Sequence, residues 1–315
     1  RAGEVLLEVA ACGVCHTELD EIEGRTPPPR LPVIVGHQVV GRVVDLGPGA
    51  GPWQVGQRAG LAWIYSACGT CEYCRTDREN LCPQFRATGR DHDGGYAEFV
   101  TAPAAFCVPI PEHLTDAEAA PLLCAGAIGY RSLRLAQVSP GQRLGLTGFG
   151  ASAQLVLGLV QAASPGAEVF VFARNPRERE LALNRGAAWA GETTALAPVR
   201  LHAIIDTTPA WLPVVEAMKN LLPGGRLVIN AIRKEEADKA ALVQLDYARD
   251  LWMEKEIKSV ANVTRRDVAE LLALAEQCQL RPSVDLYPLA EANRALAELK
   301  AGPVTAAKVL VMGPR

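Results

Sequence analysis

The sequence lacks much that would mark a specialised chain. No run of about 18 uncharged apolar residues occurs, so no segment reads as a bilayer-spanning helix. An excess of cations is also missing. The formal net charge is -3 at pH 7, which leaves no electrostatic footprint for nucleic acid or an anionic membrane. Neither an internal repeat nor a low-complexity segment is visible. No basic-then-apolar leader opens the chain, so nothing points to secretion, and a cytoplasmic location is expected. The opening "RAGEVLLEVA" already reads as a strand without an initiator Met, so further N-terminal residues are expected to precede it. Nine cysteines in 315 residues are too few for a disulfide scaffold. Without an export signal they read as metal ligands or core thiols.

What is present looks like an ordinary globular protein, with 49% apolar and 21% charged residues and a length that suits about two domains. Up to about residue 120 the chain reads as β-rich. "EVLLEVAAC", "VVGRVVDLG", "RAGLAWIY" and "GGYAEFVTAP" are short strand-like runs between Gly and Pro punctuation. Then strands and helices alternate. "QRLGLTGFG" is a strand into a Gly turn, "ASAQLVLGLVQAAS" a helix and "AEVFVFAR" a strand. "NPRERELALNRGA" is a helix, "LHAIIDTT" a strand, "WLPVVEAMKNLLPGG" a helix with a Gly stop and "GRLVINAI" a strand. Such alternation predicts a parallel sheet built from βαβ units. The tail offers two helices, "RRDVAELLALAEQC" and "LAEANRALAELKAG", and an apolar strand, "AAKVLVM".

Gly148, Gly150 and Ala153 form G-x-G-x-x-A between a strand and a helix. The first small residue permits a tight turn, the second lets the backbone approach a pyrophosphate, and the third lets helix and strand pack closely. The N-terminus of the helix then offers free N–H groups to phosphate. Dinucleotide binding follows from the motif in this strand–turn–helix context, whereas a lone Gly-rich turn would be weak evidence. The second strand of the unit ends Phe172-Ala173-Arg174, where an acid would hold the ribose 2'-hydroxyl of NAD. Arg174 suits a 2'-phosphate, which favours NADP over NAD. Arg177 and Arg179 follow, the latter reading as part of a solvated helix face.

The cysteines fall into two patterns. Cys68, Cys71, Cys74 and Cys82 lie within fifteen residues of one loop, spaced C-x2-C-x2-C-x7-C. Four thiolates make a closed tetrahedral zinc site of the structural kind. An iron–sulfur cluster is the competing reading, but its usual spacings differ. Near the N-terminus "CGVCH" spells C-x-x-C-H, which can mean haem attachment, a redox dithiol or part of a zinc site.

"CGVCHTELD", "GHQVVGRV", the four-Cys loop, "GGYAEFV", "LLCAGAIGY" and "GFGASAQ" occur in an order and at distances that resemble the zinc-dependent medium-chain alcohol dehydrogenases. The resemblance covers essentially the whole chain. "AWIYSACGTC" and "LLCAGAIGYRSL" look closest to the bacterial propanol-preferring branch. It implies an α/β fold: a GroES-like β-rich catalytic domain from residues 1–124 and 264–315, and a Rossmann doubly wound parallel-sheet domain from 125–263. It also implies a catalytic zinc on Cys15, His37 and Cys124, with an open fourth position, so two zinc ions per chain. That zinc would act as a Lewis acid on the oxygen of a primary or secondary alcohol, or of the aldehyde or ketone in reverse. Thr17 falls where the family keeps a proton-accepting hydroxyl, His16 near the cofactor pyrophosphate, and Trp63 and Ile64 on the substrate pocket wall.

Two positions depart from the family. Gln38 stands where a Glu usually follows the ligand His, and Asp20 where the proton relay ends in a His. Cys12, Cys107 and Cys278 read as core or surface thiols, His113 and His202 as element-edge residues, and His92 as a residue that could approach the substrate. A homodimer or homotetramer is expected from the family, with a small alcohol or aldehyde as substrate and neither nucleic acid nor membrane as partner. Two rivals remain open: a same-fold reductase of another carbonyl, and a non-catalytic zinc- and dinucleotide-binding protein.

Overall fold

A computed structural model describes residues 1–164, 166–302 and 305–313. The chain divides into two units, residues 1–127 with 262–315, and residues 128–261.

The first unit opens with β1 (Glu4–Gly13), α1 (His16–Ile22), β2 (Val39–Leu46), β3 (Arg58–Leu61) and β4 (Ile64–Ser66). Then come α2 (Glu72–Arg75), β5 (Arg86–Ala87), β6 (Phe99–Pro103), β7 (Cys107–Pro109) and α3 (Asp116–Ala119). The spine is β1. Its residues Val5, Leu7, Val9 and Ala11 are buried and alternate with less buried neighbours, the two-residue period of a half-buried strand. One edge of β1 pairs with β2. Its other edge pairs with β6 over Glu4–Glu8, and with the last strand of the chain over Ala11–Gly13. Val5, Leu7, Val39, Val43, Leu61 and Val100 fill the core beneath.

The helix α4 (Ala125–Ala136) leads into the second unit. There β8 (Arg143–Thr147), α5 (Ala151–Ala163), β9 (Glu168–Phe172), α6 (Pro176–Asn184) and β10 (Trp189–Gly191) follow in turn. β11 (Leu201–Asp206), α7 (Leu212–Met218), β12 (Leu221–Ile229) and β13 (Glu256–Ser259) complete it. The sheet order is β10-β9-β8-β11-β12-β13, and every pairing is parallel. Val156 and Val160 of α5 pack with Leu144, Leu146 and Ile205 on one face. Val214 and Met218 of α7 pack with Phe170, Phe172 and Ile204 on the other. This is a doubly wound Rossmann sheet whose central strands β8, β9 and β11 are largely buried, which is why they read as continuous apolar runs.

The chain then returns to the first unit with α8 (Arg265–Cys278), β14 (Val284–Pro288), α9 (Ala292–Ala301) and β15 (Ala307–Val311). β15 joins β1 antiparallel and β14 parallel, closing the sheet order β14-β15-β1-β2-β3-β7. The start of α8 follows from its capping box, in which Thr264 accepts from Asp267 N and donates to the Asp267 carboxylate.

One element differs from its sequence expectation. The helix expected over "WLPVVEAMKNLLPGG" stops at Met218, and "LLPGG" belongs to β12. Asn220 breaks the helix. Its buried amide accepts from Ala197 N at 2.8 Å and donates to Ala195 O and Glu216 O, while its own carbonyl receives Leu201 N and starts the strand pairing. Local helix propensity loses there to tertiary hydrogen bonds.

Candidate metal centres and dinucleotide cradle

Gly36 turns the chain just ahead of β2 at φ +101°, a conformation that side chains disfavour. A Cβ there would also strike the ring of Tyr96 at 2.4 Å. His37 follows at once and is buried. Cys15 is the N-cap of α1, and Cys124 lies at the turn just before α4. The ligand atoms of Cys15, His37 and Cys124 all come within 4.8 Å of one another. Cys15 and Cys124 place their Sγ atoms 4.0 Å apart, and His37 Nε2 lies 3.1 Å from Cys124 Sγ. Two thiolates on one tetrahedral zinc sit about 3.8 Å apart, given bonds of about 2.3 Å. The donor set therefore fits zinc, and three donors leave a fourth position for water or substrate. The Cys15 thiol is drawn well below its ordinary range, first by the thiol of Cys124 donating to it and then, against burial, by His37. Cys124, the donor of that pair, is pushed up, and burial adds to the push.

Glu18, which sequence reasoning missed, organises this group. Its buried carboxylate accepts Cys15 N at 2.8 Å and lies 2.5 Å from His37 Nδ1. Through Nδ1 it turns the ring so that Nε2 faces the two sulfurs, as an outer carboxylate does for a metal-bound histidine. Burial pushes the Glu18 carboxyl up, while neighbouring His37 opposes the shift. The signal was present in the sequence: Cys15-x-x-Glu18 is the spacing of a capping box at a helix start.

Cys68, Cys71, Cys74 and Cys82 form the second group of donors within 4.8 Å. Sγ separations of 3.8 Å for Cys68–Cys74 and 3.5 Å for Cys71–Cys74 suit a closed tetrahedral site. Backbone N–H groups of Thr70 and Cys71 point at Cys68 Sγ and hold that thiol at about 6, ready to ligate. Cys82 Sγ likewise receives the N–H groups of Cys68 and Gln84.

In the second unit Gly148 has φ +76°, and a Cβ there would lie 3.0 Å from Thr207 Oγ1 and Thr208 Cγ2. At Gly150, the N-cap of α5, a Cβ would meet nothing within 4 Å, and no side chain caps the helix. Ala153 is fully buried. The turn thus has one glycine in the left-handed region, one open backbone face and, among the described residues, a helix start that no side chain caps, and a pyrophosphate fits it.

Residues 1–112 match the alcohol dehydrogenase GroES-like domain. A probable alcohol dehydrogenase, AdhA, of Mycobacterium tuberculosis is 44% identical over 314 residues, 98% of this chain and 89% of that one. The chain belongs to the zinc-type alcohol dehydrogenase family. An alcohol dehydrogenase of Geobacillus stearothermophilus is 33% identical over 98% of this chain and 91% of its own. The solved structure of a cinnamyl alcohol dehydrogenase from Sorghum bicolor is similar with a TM-score of 0.84 at 27% identity, over 98% of this chain and 90% of that one. The protein is accordingly an oxidoreductase with a GroES-like unit and a Rossmann unit.

Within this alcohol dehydrogenase fold the other expected residues are placed as follows. Thr17 Oγ1 lies 3.7 Å from Cys15 Sγ, and His16 is exposed at the start of α1. The Trp63 ring stands edge-on to His37 at 6.3 Å, its buried Nε1 without a hydrogen-bond partner among the described residues. Ile64 is fully buried in β4. Arg174 is exposed just past β9. Arg179 is not the solvated residue expected, for it donates to the carbonyls of Ala173 and Arg174 at 2.8 and 3.0 Å. Gln38 is buried with its amide against Gly13. Asp20 is buried and paired with Arg25 at 2.5 Å. His92 stacks on Tyr65 at 4.0 Å, and burial lowers its basicity. Cys12 is buried in the β1 core, apart from the donors that Cys15 joins, which removes the dithiol reading of C-x-x-C-H.

Proposed function

We propose that the protein is a zinc-dependent alcohol dehydrogenase of the propanol-preferring type, oxidising a small primary or secondary alcohol reversibly with NADP in preference to NAD. The observation that carries it is the convergence of Cys15, His37 and Cys124 from three distant stretches, in a chain 44% identical to a probable alcohol dehydrogenase. Zinc bound there would supply a Lewis acid that lowers the pKa of an alcohol oxygen, and the dinucleotide would exchange the hydride. The chain's own residues do the rest. Cys15 and Cys124 supply two thiolates that temper the metal's charge. Glu18 fixes the tautomer of His37, keeping Nε2 free of a proton for the metal. Thr17 Oγ1 would accept the alcohol proton as its own hydroxyl proton leaves to solvent, and Asp20 is engaged by Arg25. Trp63 walls the pocket beside His37. Gly148, Gly150 and Ala153 seat the pyrophosphate, His16 adds a polar group near it, and Arg174 meets a 2'-phosphate.

Cys68, Cys71, Cys74 and Cys82 hold a second, structural zinc. A homodimer or homotetramer is part of the same reading, supported by the exposed edge strand β13 with Ile257, Trp252 and Met253 at the surface. A cytoplasmic setting fits the reduced thiols.

A spectrophotometric assay of small alcohols and aldehydes with both dinucleotides tests this. Turnover with a simple alcohol, faster with NADP, supports it. Absence of turnover with every simple alcohol and aldehyde sinks it. A second reading, reduction of a bulkier aryl aldehyde, draws on the likeness to the Sorghum cinnamyl alcohol dehydrogenase and is separated by kcat/KM in the same assay.

A further inference from the structure

The strand order of the Rossmann sheet reverses between β8 and β11, and such a reversal opens the crevice that takes a dinucleotide. Thr147 ends β8, Asp206 ends β11, and the two are register partners. Asp206 is fully buried at this place. Its Oδ1 accepts from the hydroxyls of Thr147 and, at 2.8 Å, Thr208. Its Oδ2 is met by Lys234 Nζ, from the segment after β12. Lys234 is 9% exposed and also donates to the carbonyls of Thr208 and Ala210 at 2.8 and 2.9 Å.

The contacts continue along the segment. Glu235 N donates to Pro209 O at 2.8 Å. Asp238 Oδ2 accepts Trp211 N and Leu212 N at 2.9 and 2.8 Å. Residues 234–238 are thus strapped along residues 208–212. That loop borders the cradle, since Thr207 and Thr208 are the atoms a Cβ on Gly148 would strike, and Thr207 Oγ1 donates to Thr147 O at 2.8 Å.

A buried carboxylate so close to the pyrophosphate turn would repel the ligand unless its charge were cancelled. We propose that Lys234 is a positioning residue for the dinucleotide, acting through Asp206: it cancels the buried charge at the switch point beside the cradle. The inference rests on the reading of Gly148–Gly150 as a dinucleotide cradle. Lys234 lies in "RKEEADK", a charge run that by composition alone reads as solvated surface.

Calorimetric titration of NAD and NADP into the full chain at pH 7 tests it, with K234M, D206N and the double variant D206N/K234M beside the parent. Lys234→Met should weaken both dinucleotides by about tenfold or more, because the pyrophosphate is common to both. Asp206→Asn should not weaken either, and the double variant should bind within about threefold of the parent. Loss of binding on removing the cation but not on removing the anion is what charge cancellation requires, whereas a merely structural pair would weaken binding in all three. Binding unchanged in K234M, or lost alike in all three variants, overturns the inference. Should K234M not fold, D206N and the double variant decide: tenfold weakening in either overturns it, and parent-like binding in both supports it. A parent chain that binds neither dinucleotide would overturn the cradle reading and the inference with it.

Discussion

Glu18 touches two donors of the metal group at once, the backbone of Cys15 and the ring of His37. Glu18→Gln should therefore weaken zinc at that site by about 10–100-fold while leaving the four-Cys site loaded, as measured by competition with a chromogenic chelator. Arg174→Ala should weaken NADP much more than NAD in a binding titration, and equal effects would remove the reason for preferring NADP. Residues of this kind differ in how legible they are. Gly148, Gly150 and the four-Cys loop are local patterns that their neighbours explain. Cys15 was one of two thiols in C-x-x-C-H, and nothing in that string selects it over Cys12. The choice is made by β1, which buries Cys12, and by the turns that bring His37 and Cys124 to Cys15. Asp206 and Lys234 were invisible for the same reason: they are 28 residues apart, and only the sheet makes them a pair.

Among the elements, the four-Cys lobe depends on a contact well outside it. Glu79, just before Cys82, accepts Arg265 N and Nε at 2.9 Å through Oε1 and Arg265 Nη2 at 2.9 Å through Oε2. This fork ties the lobe to the first turn of α8. Burial would raise the Glu79 carboxyl, but the Arg265 bonds outweigh it and hold the group below its ordinary value of 4.5. A carboxylate whose folded pKa is depressed lends stability that is present above the unfolded pKa and is lost as pH falls through the folded one. Thermal midpoints should therefore fall on acidification below about pH 4.5, and E79Q should show a shallower fall over that window. At pH 7 the variant should be less stable by about 1–2 kcal/mol, since Arg265 is 40% exposed and water shields part of the loss. The helices were read best where caps and period agree: "RRDVAELLALAEQC" is α8 to the residue. "LLPGG" was misread because a strand partner and the Asn220 amide decide its state.

At the scale of the whole molecule, metal analysis should return two zinc ions per chain. Cys124→Ala should return one and abolish turnover, while Cys68→Ser should lose the structural ion and lower the thermal midpoint. Light scattering should give a dimer or tetramer, and Ile257→Asp on the exposed edge strand β13 should reduce the mass. A monomeric parent chain would remove the oligomer from the reading. The fold class was legible because alternating β and α runs permit few topologies, and because two tight motifs carry their own chemistry within a few residues. By itself the sequence determined the alternation of strands and helices in the second unit, the four-Cys spacing and the glycine turn after β8, since each depends on neighbours close along the chain. Only the tertiary structure decided that Glu18 steers His37, that Asp20 is taken up by Arg25, and that Lys234 lies over Asp206. Those outcomes depend on burial and on partners brought together by strand pairing and packing, which spacing along the chain does not encode.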